Sequence, residues 1–273
     1  MPADSATLPR VQRARFRQLR IGALLLLLFA VASYALADIR SRRRRNEWTE
    51  PVTVALVLLE EEPVDPATVE RMRGRLSALE EQLASEQHRY LNTSVPAFHF
   101  ELFGPARVSR IPPHLETDGA WDLVRYTWEM RRYASAVDEG LGVATSRFDS
   151  RVYATIRPAV SAQPAHVEGQ SEEGGRIAQV RVELDEAMVD LALIVVTHEL
   201  FHTLGAVDKY DATGRSLIPD GLADPDRVPT YPQAQVEVMA RDRPVSASKE
   251  VVPATLAELG VGPRTAREIG WTH

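Results

Sequence analysis

The chain has 273 residues, of which 44% are hydrophobic and 26% charged, and it contains 15 Gly, 18 Pro and no Cys. This composition is typical of a globular protein and excludes the collagen-like, disordered and disulfide-stapled classes. Because the chain lacks Cys, thiol catalysis, Cys-ligated zinc and iron–sulfur clusters are excluded as well. Any metal site must therefore use His, Asp or Glu.

Charge is distributed unevenly along the chain. The first 47 residues contain ten Arg against Asp4, Asp38 and Glu47, which gives this part a net charge of +7. The whole chain has a net charge of −6, so residues 48–273 carry −13. An acidic body of this kind repels nucleic acid, and we expect no nucleic-acid partner.

Residues 21–37 (IGALLLLLFAVASYALA) form an uncharged hydrophobic run between Arg20 and Asp38. A helix of this length extends about 25 Å, slightly less than a ~30 Å hydrocarbon core, and flanking Arg side chains can reach the headgroups. We therefore predict a single transmembrane helix. It follows a basic N-terminal segment, residues 1–20, and precedes an Arg-rich tether, residues 38–50.

A cleaved signal peptide is the main alternative to an anchor, because Ala35-Leu36-Ala37 fits the small-residue pattern of a cleavage site. The protein would then be secreted after cleavage near Ala37. A buried hydrophobic helix is the third interpretation. Five Arg between residues 40 and 45 oppose translocation and favour the uncleaved anchor. Equal numbers of Arg lie on both sides, so charge does not decide the orientation. A short basic N-terminus before a leucine core is typical of a signal anchor, which predicts a body outside the cytoplasm.

The body, residues 51–273, opens with elements typical of an α/β fold. The continuous apolar run at residues 52–59 (VTVALVLL) predicts a buried strand. Residues 66–89 follow, with apolar side chains at three- and four-residue spacing. Asp65 and Pro66 suit the N-cap and first turn of a helix. We expect this long amphipathic helix to back the sheet.

Further elements are predicted in the middle of the body. Residues 97–103 alternate in aromatic side chains and predict a strand, and residues 152–156 predict another. Residues 120–137 have helical periodicity. Within that helix, Trp121 and Trp128 are seven residues apart, a spacing typical of core side chains.

The next strand, residues 177–184 (IAQVRVEL), alternates cleanly between apolar and polar side chains, which indicates one polar face. We take it as the candidate edge strand that could pair with an extended peptide substrate. Residues 161–175, which precede it, are rich in Gly, Glu, Gln and Ser and are predicted to form a surface loop.

Two histidines lie on a predicted central helix. Asp185 suits its N-cap, and residues 188–196 are apolar on nearly all sides, which is typical of a buried helix. His198 and His202 follow in its last turns. Residues four apart are separated by about 40° around a helix, so both imidazoles project from one face and can bind one tetrahedral ion.

Glu199 lies about 100° around the helix from His198, so it is better placed to hold a water than to act as a ligand. Zinc in such a site lowers the pKa of its water to about 7, and Glu199 can accept that proton and deliver it to the leaving amine. The His-Glu-x-x-His pattern therefore predicts zinc-dependent hydrolysis of a peptide bond.

The segment HELFHTLGAVD, which begins at His198, resembles the zinc-binding signature of the metzincin metallopeptidases, HExxHxxGxxH. It matches the variant in which the last ligand is Asp, as in the snapalysin-type small neutral proteases. The resemblance implies zinc held by His198, His202 and Asp208, with Glu199 as general base. It also implies a metzincin-like α/β body with a twisted mixed sheet, a central active-site helix and a C-terminal helix.

Two supporting positions follow from the same resemblance. Gly205 would end the helix and turn the chain, and glycine is also the residue that enters the left-handed conformation at least cost. Metzincins have a methionine in a tight turn beneath the zinc, for which Met239 is the candidate, and residues 263–269 would form the C-terminal helix. Some metzincins have a Tyr ligand two residues after this methionine, where this chain has Arg241.

Two alternatives remain open. In the gluzincin arrangement the third ligand is a Glu on a later helix, and Glu237 is then the leading candidate. A catalytically inert protein could instead keep zinc as a structural staple and serve as an envelope scaffold, although such a site does not need Glu199. The sequence favours a membrane-anchored zinc endopeptidase that acts on a peptide or protein, and it leaves the oligomeric state open.

Overall fold

A computed structural model describes residues 10–107, 112–113, 119–159, 168–171 and 175–272. The first nine residues of the predicted basic segment 1–20 lie outside this description. The chain divides into two compact units, Met1–Arg44 and Arg45–His273.

The described part of the first unit is helical: α1 (Arg10–Arg45) carries the predicted anchor, and its last residue is the first residue of the second unit. The five leucines at positions 24 to 28 are between 60% and 72% exposed. In the part of the chain that the structure describes, no helix combines the length and hydropathy needed to cross a bilayer. Membrane anchoring therefore stays a prediction.

The second unit is built on a five-stranded sheet with the order β2-β1-β3-β5-β4. The strands are β1 (Val52–Glu60), β2 (Phe98–Arg107), β3 (Ser150–Pro158), β4 (Glu168–Ser171) and β5 (Ile177–Leu184). Strands β1, β2, β3 and β5 run parallel, and β4 is antiparallel to β5. The sheet is therefore mixed, and the predicted α/β class is confirmed.

Helices cover both faces of this sheet. Helices α2 (Pro66–His88) and α4 (Val189–Thr203) pack on one face, and α3 (Ala120–Leu141) packs on the other. Alternate residues of β1 enter the two cores: Val54, Leu56 and Leu58 on the first face, Ala55, Val57 and Leu59 on the second. Because successive side chains of a strand point to opposite faces, a strand covered on both sides needs a continuous apolar run.

The prediction that Trp121 and Trp128 lie in the core is wrong, because these side chains are 85% and 58% exposed. Helix α3 packs on the sheet through a different apolar stripe, which includes Tyr126, Met130 and Ala134. Seven-residue spacing shows that two side chains share a helix face, but it does not show which face meets the core.

Strand β5 is not the edge strand that the sequence suggested, since it pairs with β3 on one side and β4 on the other. The edge strand on this side of the sheet is β4, which lies inside the predicted loop 161–175. Its sequence, EGQS, has none of the apolar alternation that marks a strand. The remaining loop positions 161–167 and 172–174 lie outside the described residues.

The second unit includes the last residues of the predicted tether, 38–50. Arg45 is buried and donates a hydrogen bond to the backbone oxygen of Thr203 (3.3 Å). The side-chain amide of Asn46 donates to the backbone oxygen of Leu204 (3.0 Å). These bonds satisfy carbonyl groups at the C-terminal end of α4, which have no partner within the helix.

The region after α4 contains short strands and a last helix: β6 (Val236–Glu237), β7 (Arg243–Ser246), β8 (Lys249–Val251), β9 (Leu259–Gly260) and α5 (Pro263–Glu268). Strand β6 pairs in parallel with β9. The turn that follows β6 therefore starts close to the chain that enters α5. Helix α5 is the C-terminal helix predicted at residues 263–269.

Candidate metal centre

Helix α4 brings the two histidines into the interior of the body. The carboxylate of Asp185 accepts hydrogen bonds from the N–H groups of Ala187 (2.8 Å) and Met188 (2.9 Å), in the 3-10 turn that leads into the helix. One helical turn separates His198 from His202, and their ring centroids are 4.9 Å apart. Only 13% and 15% of these side chains are exposed.

Gly205 ends this helix and turns the chain back toward the histidines. Its φ of 99° is in the left-handed region, where a side chain would be strained. The N–H of Gly205 donates to the oxygen of His202 (3.0 Å), and the N–H of Ala206 donates to that of Phe201 (3.1 Å). This is the Schellman pattern of helix termination, and it sends the chain toward Asp208.

Three side chains converge at this point. One carboxylate oxygen of Asp208 lies 3.2 Å from Nε2 of His198 and 3.2 Å from Nε2 of His202. One candidate ligand atom from each residue lies within 4.8 Å of the other two. The Asp208 side chain is 43% exposed, so the group is open to solvent on that side. Two imidazoles and a carboxylate are a donor set that suits zinc.

Backbone carbonyl groups orient both imidazoles. Nδ1 of His198 lies 2.9 Å from the oxygen of Val238, and Nδ1 of His202 lies 2.9 Å from that of Ala206. A carbonyl oxygen can only accept, so each Nδ1 carries the hydrogen and each Nε2 faces Asp208. Metal-binding histidines are typically held in this way, so the donor set fits a bound cation.

The ionisation of these groups reflects their proximity. Burial lowers the pKa of His202, but the hydrogen bond with Asp208 and the negative charge of Glu199 outweigh burial and leave the pKa raised. Burial raises the pKa of Asp208, but hydrogen bonds from both imidazoles outweigh it and leave the pKa well below its ordinary value. Protons therefore bind where a cation would bind, and the two compete.

Glu199 lies beside the ligand group without joining it. Its side chain is buried, and one of its carboxylate oxygens is 4.0 Å from Nε2 of His198. The position follows from the 100° rotation between adjacent helical residues. A carboxylate beside the ligand group can accept a proton from a water held between the carboxylate and the ligands.

Met239 is fully buried in a tight turn, residues 237–240, that directly follows β6. The turn contacts the site in two places. The oxygen of Val238 accepts from the ring of His198, and the oxygen of Met239 accepts from the N–H of Lys209 (2.8 Å). The turn thus supports one histidine and the loop that carries the third candidate ligand.

Glu237 is not part of the ligand group. It is completely buried, and its carboxylate accepts hydrogen bonds from the N–H groups of Met239 (2.6 Å) and Gly262 (3.2 Å). Burial raises its pKa to about 7, although these hydrogen bonds act in the opposite direction. The carboxylate connects the methionine turn to the start of α5, and the gluzincin alternative is not formed in this arrangement.

Tyr210 completes the site, although it lies outside the motif. Its ring stacks on His198, with centroids 6.2 Å apart. The guanidinium of Arg241 lies 5.4 Å from the ring centroid. Burial and the charge of Asp208 raise the pKa of Tyr210 to about 12, so the hydroxyl keeps its proton at neutral pH. Its position two residues after Asp208 places it near the site, but the motif does not specify that its ring meets His198.

Comparisons with known proteins establish no family for this chain. No family model matches it, and no curated protein matches it. Among solved structures, archaemetzincin from Methanopyrus kandleri is similar, with 18% identity and a TM-score of 0.27. The similarity covers 57% of this chain and 76% of archaemetzincin. At this TM-score it carries no argument about fold or activity, which leaves the side chains of the site as the basis for assigning a function.

Proposed function

We propose that the chain is a zinc-dependent endopeptidase with a metzincin-like active site. The convergence of His198, His202 and Asp208, with both imidazoles oriented by carbonyl groups, is the observation that supports this most directly. Three protein ligands are typical of catalytic zinc sites, which keep a position for water, whereas structural sites usually have four. Glu199 beside the group favours catalysis over a scaffold.

Individual residues of the site have distinct roles in this reaction. Zinc would supply a Lewis acid that polarises the substrate carbonyl and lowers the pKa of the attacking water. The carboxylate of Glu199 accepts the proton of that water and passes it to the leaving amine. The ring of Tyr210 stacks on His198, one of the two imidazoles that would hold the ion.

The proposal includes the location of the protein. The uncharged run at residues 21–37 and its Arg flanks support a single-pass anchor with the body outside the cytoplasm, and secretion after cleavage near Ala37 is the alternative. Alkaline carbonate extraction of membranes from expressing cells tests this. An anchored chain stays with the membranes at full mass, whereas a shortened chain in the medium would support cleavage.

Proteolysis of unfolded casein by the full chain in detergent tests the catalytic proposal. We expect cleavage that a zinc chelator abolishes and that Glu199→Ala also abolishes. The matched control is Glu186→Ala, which removes an acid whose side chain is 61% exposed in the turn before α4. This control should cleave like the wild type.

Two results would contradict the proposal. Cleavage that persists in Glu199→Ala would exclude the mechanism. A chain that binds zinc but cleaves neither casein nor a peptide library would indicate a zinc-stabilised scaffold instead.

A further inference from the structure

A buried ion pair fixes the loop that carries Asp208 to helix α5. Nζ of Lys209 lies 2.8 Å from a carboxylate oxygen of Glu268 and also donates to the backbone oxygen of Val207 (2.7 Å). The side chain of Lys209 is 3% exposed and that of Glu268 is 15% exposed. A buried ammonium needs such partners, because removing its charge from water is unfavourable.

The same carboxylate also binds the backbone on the other side of Asp208. The Glu268 oxygen that pairs with Lys209 accepts the N–H of Val207 (3.2 Å). Arg264, one turn earlier in α5, donates to the other oxygen (2.9 Å) and so orients the carboxylate. The residues immediately before and after Asp208 are therefore both bound to one side chain.

The backbone of Lys209 has two further partners. Its N–H donates to the oxygen of Met239 (2.8 Å), and its oxygen accepts the N–H of Leu217 (2.7 Å). Together with the bond from Val207 to Glu268, these bonds restrict the backbone of Asp208 from both sides. A mobile loop would lose conformational entropy when Asp208 bound a metal ion. A backbone that is already fixed lowers this entropic cost of binding.

We propose that the Lys209–Glu268 pair positions the third metal ligand, so that helix α5 sets the metal affinity of the site. This inference rests on the proposed function, because it requires Asp208 to bind the metal. Lys209 and Glu268 are positioning residues, since they act through the loop and not on the reacting atoms. Groups that support metal ligands in this way typically change affinity by 10- to 100-fold.

Glu268→Gln in the full chain tests the proposal, because it removes the charge and keeps the shape. The matched control is Glu183→Gln, which breaks the Arg157–Glu183 pair (2.7 Å) on the sheet, where Glu183 is 11% exposed. Two quantities are measured: the Kd for zinc, by competition with a chromophoric chelator, and amide hydrogen exchange in residues 206–217 of the metal-free protein. We expect Glu268→Gln to weaken zinc binding by about 10- to 100-fold and to speed exchange at Val207 and Lys209. The control should change neither.

A second variant separates positioning from stability. Lys209→Met combined with Glu268→Gln leaves no unpaired buried charge, so its unfolding midpoint should lie closer to the wild type than that of Glu268→Gln alone. Its zinc affinity should remain weak. Wild-type zinc affinity and wild-type exchange in the folded double variant would overturn the inference.

The two readouts also separate this inference from the proposed function. If the wild-type chain binds no zinc, the proposed function fails. The inference that the pair sets metal affinity then fails as well, even if hydrogen exchange differs in Glu268→Gln. If the wild type binds zinc and Glu268→Gln binds it like the control, only the inference fails.

Discussion

At the scale of single residues, the site depends on which atom each side chain presents. His198 and His202 present Nε2 because carbonyl groups bind Nδ1, and Asp208 meets both from a loop instead of from the helix. Each ligand is thus held by a different local structure. The contributions of these residues can be separated by substitution.

Asp208→Asn removes the negative charge of the third ligand and keeps its size. We expect zinc affinity to fall at least 10-fold, because a neutral amide is a poorer zinc ligand than a carboxylate. Loss of a group that only supports a ligand already costs about 10-fold or more. Chelator competition measures the affinity, and circular dichroism checks that the variant is folded. Unchanged affinity in the folded variant would show that the third ligand is another residue.

Glu199→Gln separates chemistry from binding. A glutamine can orient water but cannot take its proton, so kcat on a peptide substrate should fall by about 10²- to 10⁴-fold. Zinc affinity should stay within a few-fold of wild type, because Glu199 lies outside the ligand group. A kcat close to the wild-type value would mean that another group is the general base.

The sequence motif predicts some of these residues and not others. His198, Glu199 and His202 could be named because their relative positions follow from a single turn of helix, and Asp208 could be named because the segment resembles the metzincin signature. The Lys209–Glu268 pair could not be predicted, since its partners are 59 positions apart in the chain. Such pairs depend on how α5 packs, which no local pattern encodes.

At the scale of elements, strong patterns are reliable and weak ones are not. The apolar run of β1 and the three- and four-residue spacing in α2 predict both elements closely. Strand β4 has no such pattern, and its pairing with β5, not its own sequence, specifies it as a strand. Helix α3 has two apolar stripes, and the sequence does not show which one faces the sheet.

The orientation of α3 predicts a small effect on stability at one position and a large effect two residues later. Trp128→Gln should change the free energy of unfolding by less than about 0.5 kcal/mol, since the side chain is 58% exposed. Met130→Ala should lower it by about 2 to 5 kcal/mol, because Met130 is 4% exposed in the core beneath α3. Urea denaturation of both variants measures the two values. A larger loss for Trp128→Gln would mean that the helix is rotated.

At the scale of the whole molecule, the site joins three parts of the chain: helix α4, the loop after Gly205, and the methionine turn with α5. Glu237 holds the last two together through its bonds to Met239 and Gly262. Because it is completely buried, its ionisation affects the stability of the entire body.

This burial predicts a pH dependence of stability. Glu237 has a pKa of about 7 in the folded state, above its ordinary 4.5, so the folded state binds its proton more tightly. Its contribution is fully present below pH 4.5 and is lost as pH rises through 7, by an amount on the order of 3 kcal/mol. Glu237→Gln does not titrate. In the presence of a chelator, the unfolding free energy of the wild type should therefore fall relative to that of Glu237→Gln as pH rises from 5 to 8. Parallel curves would contradict this assignment.

The central claim is that His198, His202 and Asp208 bind one zinc ion. Anomalous scattering from a crystal of the zinc-loaded protein, recorded on both sides of the zinc absorption edge, tests it most directly. We predict one zinc peak within coordination distance of both Nε2 atoms and of the Asp208 carboxylate. A fully loaded crystal with its zinc elsewhere, or with Asp208 turned away from it, would contradict the account.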